Sequence, residues 1–328
     1  MSFIPSYIKL FQSGELKQRA EQAFHILESC KSCPHNCEVD RTKNELGFCH
    51  SRNLPIVSSY TAHYGEEPVL SGTRGAGNIF FGNCNLRCMF CQNFEISQNW
   101  KIEREHEISS EQLAEIMIEL QRRNCHNIGL VSPTHFSAVI LKSIYLAVEK
   151  GLSLPVIYNT NGYDSVEMLK LYNSVIDIYL PDLKYGDNRS ARTYSKIDNY
   201  FDEAKKAIKE MFNQVGDELV YKDGVVVRGL IIRHLVLPNG LSESEKVFKF
   251  IAEELSPNVH ISLMSQYYPS NKASNDILIN RTLRESEYEK AIERMDKYGL
   301  HNGWIQEVES SENYRPYFSE DRANPFKN

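Results

Sequence analysis

Ile79-Phe80-Phe81-Gly82-Asn83-Cys84-Asn85-Leu86-Arg87-Cys88-Met89-Phe90-Cys91-Gln92-Asn93 joins a short apolar run to three cysteines spaced C-x3-C-x2-C, with no fourth cysteine close behind. The run reads as a strand over 78–82, so the cysteine loop sits at a strand's C-terminal end. A structural zinc site is closed by four protein ligands, and an iron–sulfur cube normally takes four thiolates. Three close thiolates can hold three irons of a [4Fe-4S] cube and leave the fourth iron open. An open position is what a catalytic metal site needs and a structural one avoids. Cys84, Cys88 and Cys91 are therefore the candidate catalytic, cluster-binding residues.

Downstream, helical and strand patterns alternate. Ser109-x-x-Gln112 is a capping box, followed by Leu113, Ile116, Met117 and Leu120 at helical spacing. A strand over 127–132, a helix over 138–150 closed by Gly151, and a strand over 155–159 come next. Asp164-x-x-Glu167 reads as the cap of another helix, before a strand over 174–180 and a helical stretch over 190–214. A hairpin over 218–227 precedes a strand over 230–237; Ser242-x-x-Glu245 reads as a further cap, before a strand over 259–264 and a helix over 285–298 ending at Gly299. Strands alternating with helices imply parallel βαβ units, and functional residues then gather at the strands' C-terminal ends. The repeat count alone fits a partial barrel or a doubly wound sheet.

Upstream, residues 51–77 read as loop. Gly72 to Gly77 lacks the Gly-Lys-Ser/Thr ending of a phosphate loop and precedes a strand where such a loop follows one. Cys30, Cys33, Cys37 and Cys49 form C-x2-C-x3-C-x11-C, able to close a tetrahedral zinc site or to hold an auxiliary iron–sulfur cluster. His35 and His50 beside them read as surface residues, Cys125 as a bystander thiol, and residues 1–29 as a packing helix.

The chain has 328 residues and a formal net charge of -6, with no basic field for nucleic acid or acidic membranes and no apolar run long enough to span a bilayer. No signal peptide is read at the start, so the protein is expected to be soluble and cytoplasmic. Seven of the eight cysteines fall in two clusters, which favours metal ligation over disulfides in a reducing compartment. The expected divisions are residues 1–70, an N-terminal helix with the four-cysteine segment; 71–310, a barrel; and 311–328, a tail.

With Phe90 directly before Cys91, the loop resembles the cluster loop of radical S-adenosylmethionine (SAM) enzymes. Gln92-Asn93, and Arg74 in Gly72-Thr73-Arg74-Gly75, resemble the glycyl-radical-enzyme activating branch, typified by pyruvate formate-lyase activating enzyme. The likeness is greatest to an offshoot with an extra N-terminal cysteine cluster, and runs from about residue 30 to 306. It implies an open partial (β/α)6 TIM-like barrel of α/β class, with a [4Fe-4S] cluster and SAM as cofactors. It also implies a flavodoxin- or ferredoxin-type electron donor and a protein or peptide substrate, a glycyl-radical enzyme among them.

The resemblance also supplies ligand candidates. Phe90 is expected beside the adenine, with Gln92 next to it. Ser132-Pro133-Thr134 stands where the family usually has Gly-Gly-Glu, so Ser132 and Thr134 are the candidates for the SAM amino group. Asn159-Thr160-Asn161-Gly162 is similar to the family's Thr-Asn-Gly, with Asn159 as the candidate. Asp182-Leu183-Lys184 matches the activases' Asp-Leu-Lys, which gives Lys184 the methionyl carboxylate and Asp182 a seat beside it. Arg233 resembles the fifth-strand arginine, a carboxylate contact or a buried structural residue. Gln266 lies about where pyruvate formate-lyase activase has a histidine, a departure that bears on the substrate. Competing readings are a radical SAM enzyme acting on another peptide or a small molecule, and a non-redox zinc-binding scaffold.

Overall fold

The computed structural model describes residues 3–307 and 316–326. Among the described residues nine strands form the sheet: β1 (Val57–His63), β2 (Ala76–Phe81), β3 (Ile128–Val131), β4 (Val156–Thr160), β5 (Ile178–Pro181), β6 (Val220–Lys222), β7 (Val225–Leu235), β8 (His260–Met264) and β9 (Gly303–Ile305). The order is β1-β2-β3-β4-β5-β7-β8-β9, with β6 attached only to β7. Pairing from β2 through β9 is parallel, while β1 and β6 are antiparallel attachments. Strand order never reverses, which selects the curled partial barrel over a doubly wound sheet.

Register sorts the side chains. Asn78 stands level with Gly129, and Phe80, Val131 and Asn159 share the next row toward the strands' C-terminal ends. Arg233 aligns with Ser262, and Leu235 with Met264. These residues form the lumen face. The opposite face, including Ile79, Phe81, Ile128, Leu130 and Tyr158, packs into the main core with the helices Ser110–Arg122 and Ser137–Glu149. Such burial on both faces is what near-continuous apolar strands require.

The lumen is plugged from the N-terminal end of the strands. After β1 the chain turns inward and forms one helical turn, Pro68–Ser71. Leu70 packs there against Ile157, Ile178, Leu180, Val226 and Ile231. Glu66, just before that turn, becomes the floor of the space above.

Several boundaries differ from the sequence pattern. The expected helix over 1–29 breaks at Gly14 (φ 80°) into Tyr7–Gln12 and Glu15–His25, because a left-handed residue cannot continue a helix. The stretch read as loop contains β1, whose Ser, Ala and His residues are weak strand formers; pairing to β2 decides it. The helix over 190–214 is two, Asn188–Ser195 and Tyr200–Val215, separated at left-handed Lys196. The hairpin arm and the following strand are one eleven-residue strand, β7.

Two caps move. Ser165, and not Asp164, caps Val166–Leu171, since Asp164 is buried and accepts hydroxyls from Thr134, Thr160 and Tyr158. Ser242 makes no helix cap; its hydroxyl accepts from the Leu237 amide. β9 went unanticipated. Gly303 has φ 123°, and a Cβ there would lie 2.0 Å from the Ile261 carbonyl oxygen, so a glycine permits this edge pairing. The barrel–tail boundary at 310 and residues 311–315 and 327–328 of the expected tail lie outside the described residues.

Candidate metal and ligand site

The loop after β2 is pinned from three directions. The Asn83 amide donates to the Ile96 carbonyl (2.8 Å), the Arg87 and Met89 amides donate to the Ser195 and Tyr194 carbonyls (3.1 and 2.8 Å), and the Met89 carbonyl accepts from the Lys272 amide (2.9 Å). This fixation turns Cys84, Cys88 and Cys91 toward one cavity of about 230 Å³ at the C-terminal ends of the strands. Each sulfur has a polar neighbour: Asn161 Nδ2 to Cys84 (3.5 Å), Ser195 Oγ to Cys88 (2.9 Å) and Ser97 Oγ to Cys91 (3.3 Å). Burial raises all three thiols and lifts Cys88 to about 12, with Lys184 pulling the other way. Bound metal must therefore displace their protons.

Across the cavity, Asp182 joins two cations. Its Oδ2 lies 2.5 Å from Lys184 Nζ and its Oδ1 2.8 Å from Arg233 Nε. Burial alone would raise the Asp182 carboxyl, but Arg233 and then Lys184 outweigh it and hold it below the usual value. Arg233 also donates to Asn159 Oδ1 (2.6 Å) and Glu66 Oε2 (3.3 Å). Three of its five N–H donors are thus engaged, and the guanidinium still lines the cavity. Asp182 engages one of the three N–H donors of Lys184, leaving charge available to an incoming carboxylate.

The other candidates separate by position. Ser132, at φ 58°, Asn159, Gln92 and Gln266 line the cavity. Gln92 Nε2 donates to the Gln266 carbonyl (3.2 Å), and the Gln266 side chain pairs with Gln306 (3.0 Å). Phe90 lines it too, nearly buried, with Tyr267 edge-on at 5.6 Å. Thr134 does not line it; its hydroxyl is turned to Thr160 (3.0 Å) and Asp164 (2.7 Å). Arg74 lies at the opposite end of β2, bonded to Asn124 and His126. His234 is buried with both nitrogens engaged, by the Leu183 carbonyl and Ser244 Oγ. Cys125, the bystander thiol, is 1% exposed in the main core, among apolar residues.

Glu66, Asn161 and Phe326 line the cavity without having been singled out. Asn161 was visible in the Thr-Asn-Gly motif, and Gly162 beside it has φ 83° with no room for a Cβ against the Asp182 carbonyl, 2.4 Å away. Glu66 carried no local signal. Phe326 stacks toward Phe80 (5.5 Å) from the far end of the chain.

Cys30, Cys33, Cys37 and Cys49 surround a second void of about 10 Å³. The Phe48 amide donates to Cys37 Sγ (3.4 Å). His35, expected at the surface, stacks on Phe48 (4.0 Å) and bonds the Asn85 carbonyl (2.8 Å); His50 stacks on Trp100 (4.9 Å). Among the described residues no three His, Cys, Asp or Glu side chains form a ready single-ion site. Cys84, Cys88 and Cys91 line one cavity of about 230 Å³ without a fourth cysteine, so its donor set fits a cluster held by three thiolates.

A profile of the radical SAM superfamily matches residues 78–230. The chain is similar to two uncharacterised proteins of Methanocaldococcus jannaschii. MJ0674 is 38% identical over 293 residues, covering 87% of this chain and 79% of that one. MJ0808 is 25% identical over 265 residues, covering 75% and 72%. Among solved structures, TYW1 with a lysine-pyruvate adduct bound aligns with TM-score 0.43 and 13% identity over 71% of this chain and 78% of that one. HydG, a maturase of the [FeFe]-hydrogenase, aligns with TM-score 0.46 and 12% identity over 73% and 51%. The superfamily profile begins in β2, takes in the whole cysteine loop and reaches into β7, and with 38% identity to MJ0674 over most of both chains the protein belongs to the family of that uncharacterised protein and carries a radical SAM superfamily match over residues 78–230.

Proposed function

We propose that this protein is an activase-like radical SAM enzyme that takes hydrogen from a glycine of a partner enzyme. The observation that carries the reading is the sharing of one cavity by Cys84, Cys88 and Cys91 with Lys184 of the Asp182-Leu183-Lys184 motif. When bound, the [4Fe-4S] cluster and SAM supply reductive C–S cleavage to methionine and a 5′-deoxyadenosyl radical.

The chain's own residues position the reactants and exclude water. Cys84, Cys88 and Cys91 hold the cluster from one side of the cavity. Lys184 meets the methionyl carboxylate, and Asp182 orients Lys184 at 2.5 Å. Phe90 offers an apolar face to the adenine, backed by Tyr267 and Tyr185. Ser132 and Asn159 supply polar atoms opposite the cluster loop. Phe80, Val131, Leu235 and Met264 give the cavity apolar walls that shield a radical from water. An electron donor of flavodoxin or ferredoxin type completes the cycle.

The test is anaerobic turnover with dithionite and SAM. A glycine-centred EPR doublet on a candidate partner enzyme supports the activase reading. Formation of 5′-deoxyadenosine with no doublet on any glycyl-radical enzyme refutes that step and points to another peptide or a small molecule. Cys88→Ala should abolish nucleoside release; undiminished release refutes the cluster assignment.

A further inference from the structure

We propose that the N-terminal four-cysteine lobe holds a thiolate-bound metal centre, that Arg41 is its buried counter-cation, and that this centre braces the catalytic loop. The brace, though not the centre itself, rests on the reading of Cys84, Cys88 and Cys91 as cluster ligands.

Arg41 motivates the charge assignment. It is 1% exposed and is the largest fully buried side chain among the described residues. Its oxygen partners are neutral carbonyls, those of Arg52 (3.2 Å from Nε, 2.5 Å from Nη2) and His135 (2.6 Å from Nη1). The same Nη1 lies 3.8 Å from Cys30 Sγ, and no carboxylate pairs with Arg41 among the described residues. An isolated buried guanidinium is expensive and calls for a nearby anion. Four neutral thiols provide none. Four thiolates around a divalent ion, or around an oxidised cube, carry a net charge of about -2, which Arg41 partly neutralises. The amide of Phe48 donating to Cys37 is a further contact that favours thiolate.

The same lobe grips the loop between Cys84 and Cys88. His35 stands between Cys33 and Cys37 and bonds the Asn85 carbonyl at 2.8 Å. Phe48, next to Cys49, has its ring under the Arg87 guanidinium (4.6 Å), and its carbonyl accepts from Arg87 Nη2 (2.5 Å). Arg87 Nη1 closes the circuit on the Cys84 carbonyl at 2.6 Å. His135, whose carbonyl accepts from Arg41, bonds Gly82 at the loop's entry (2.9 Å). Residues interleaved with the four cysteines therefore hold backbone at Asn85 directly and at Cys84 through Arg87, and Arg41 reaches the Gly82 carbonyl through His135. Thiolates clamped round a metal would fix His35 and Phe48, and through them the placement of the catalytic cluster.

The experiment measures iron and zinc per chain in the full-length protein, produced and handled without oxygen, for wild type, Cys33→Ser/Cys49→Ser, Arg41→Met, His35→Gln and Cys88→Ala. Wild type should carry, beyond the catalytic cluster's iron, either about one zinc or about four further irons. Cys33→Ser/Cys49→Ser should lose that excess, and Arg41→Met at least half of it. His35→Gln should keep all metal while shifting the EPR spectrum and reduction potential of the catalytic cluster, which a merely structural histidine would leave in place. Far-UV circular dichroism identifies any variant that fails to fold, and the two conservative variants, Arg41→Met and His35→Gln, then decide. Wild type without excess metal overturns the centre. Full metal retention in Arg41→Met overturns the counter-cation, and an unmoved cluster signal in His35→Gln overturns the brace. Cys88→Ala separates the two readings: full iron retention there refutes the catalytic assignment and leaves the N-terminal result standing.

Discussion

Lys184→Met separates a ligand-binding lysine from a strand-end ion pair. The substitution keeps the aliphatic stem and removes one charge. In the folded chain Lys184 pairs with Asp182, which retains Arg233 at 2.8 Å, so no buried carboxylate is stranded. Stability should therefore fall by less than the cost of a buried pair broken outright, about 3–5 kcal/mol, because Asp182 keeps its second partner. SAM binding should suffer directly. A charge-assisted hydrogen bond to a carboxylate contributes about 1.5–3 kcal/mol, equivalent to about 10- to 150-fold in Kd. Equilibrium titration of SAM into the anaerobically reconstituted protein, beside a thermal melt, reads both quantities. Arg233→Met should show the opposite pattern. It strips partners from Asp182, Glu66 and Asn159 together, and breaking such a buried pair costs about 3–5 kcal/mol. If Lys184→Met binds SAM within about twofold of wild type, its role is structural and the cavity's carboxylate subsite lies elsewhere.

Asn161→Leu should leave the iron content unchanged and lower the reduction potential of the cluster, because the hydrogen bond to Cys84 Sγ disappears; an unchanged potential in redox titration counts against Asn161 as a tuning group. Asp177 is raised from 3.8 to about 6, by burial first and against the amides of Ser6 and Val156. A raised folded-state value means its contribution to stability is full below pH about 4 and is lost as pH rises through about 6, on the order of 3 kcal/mol in all. The difference between wild type and Asp177→Asn in urea unfolding should follow that curve, and a difference independent of pH between 4 and 7 refutes it. Gly303→Ala should destabilise by more than about 1 kcal/mol, since Ile261 backbone occupies the Cβ position at 2.0 Å; an unshifted melting temperature shows that β9 is dispensable.

Local grammar supplied the parallel α/β architecture. Capping at Ser109, helical spacing through Leu120, and short apolar strands are properties of neighbouring residues, and the structure keeps them with boundaries moved by a few positions. The three-cysteine loop was legible for the same reason, its ligands lying within eight residues of one another. What failed locally failed where distant groups took over. Asp164 looked like a helix cap, yet three buried hydroxyls claim it. His35 looked like a surface residue, yet the Asn85 carbonyl, fifty positions away, engages it.

The sequence by itself determined the repeating strand–helix units and the thiolate loop at a strand end, because periodicity and ligand spacing are written along the chain. Only the tertiary structure decided that Glu66 forms the floor of the cavity beneath Arg233, 167 positions away, that Phe326 closes over Phe80, and that a buried arginine faces the N-terminal thiols. Those placements follow from burial: a charge or ring taken out of water must find a partner wherever the fold brings one, and no local pattern records which partner that will be.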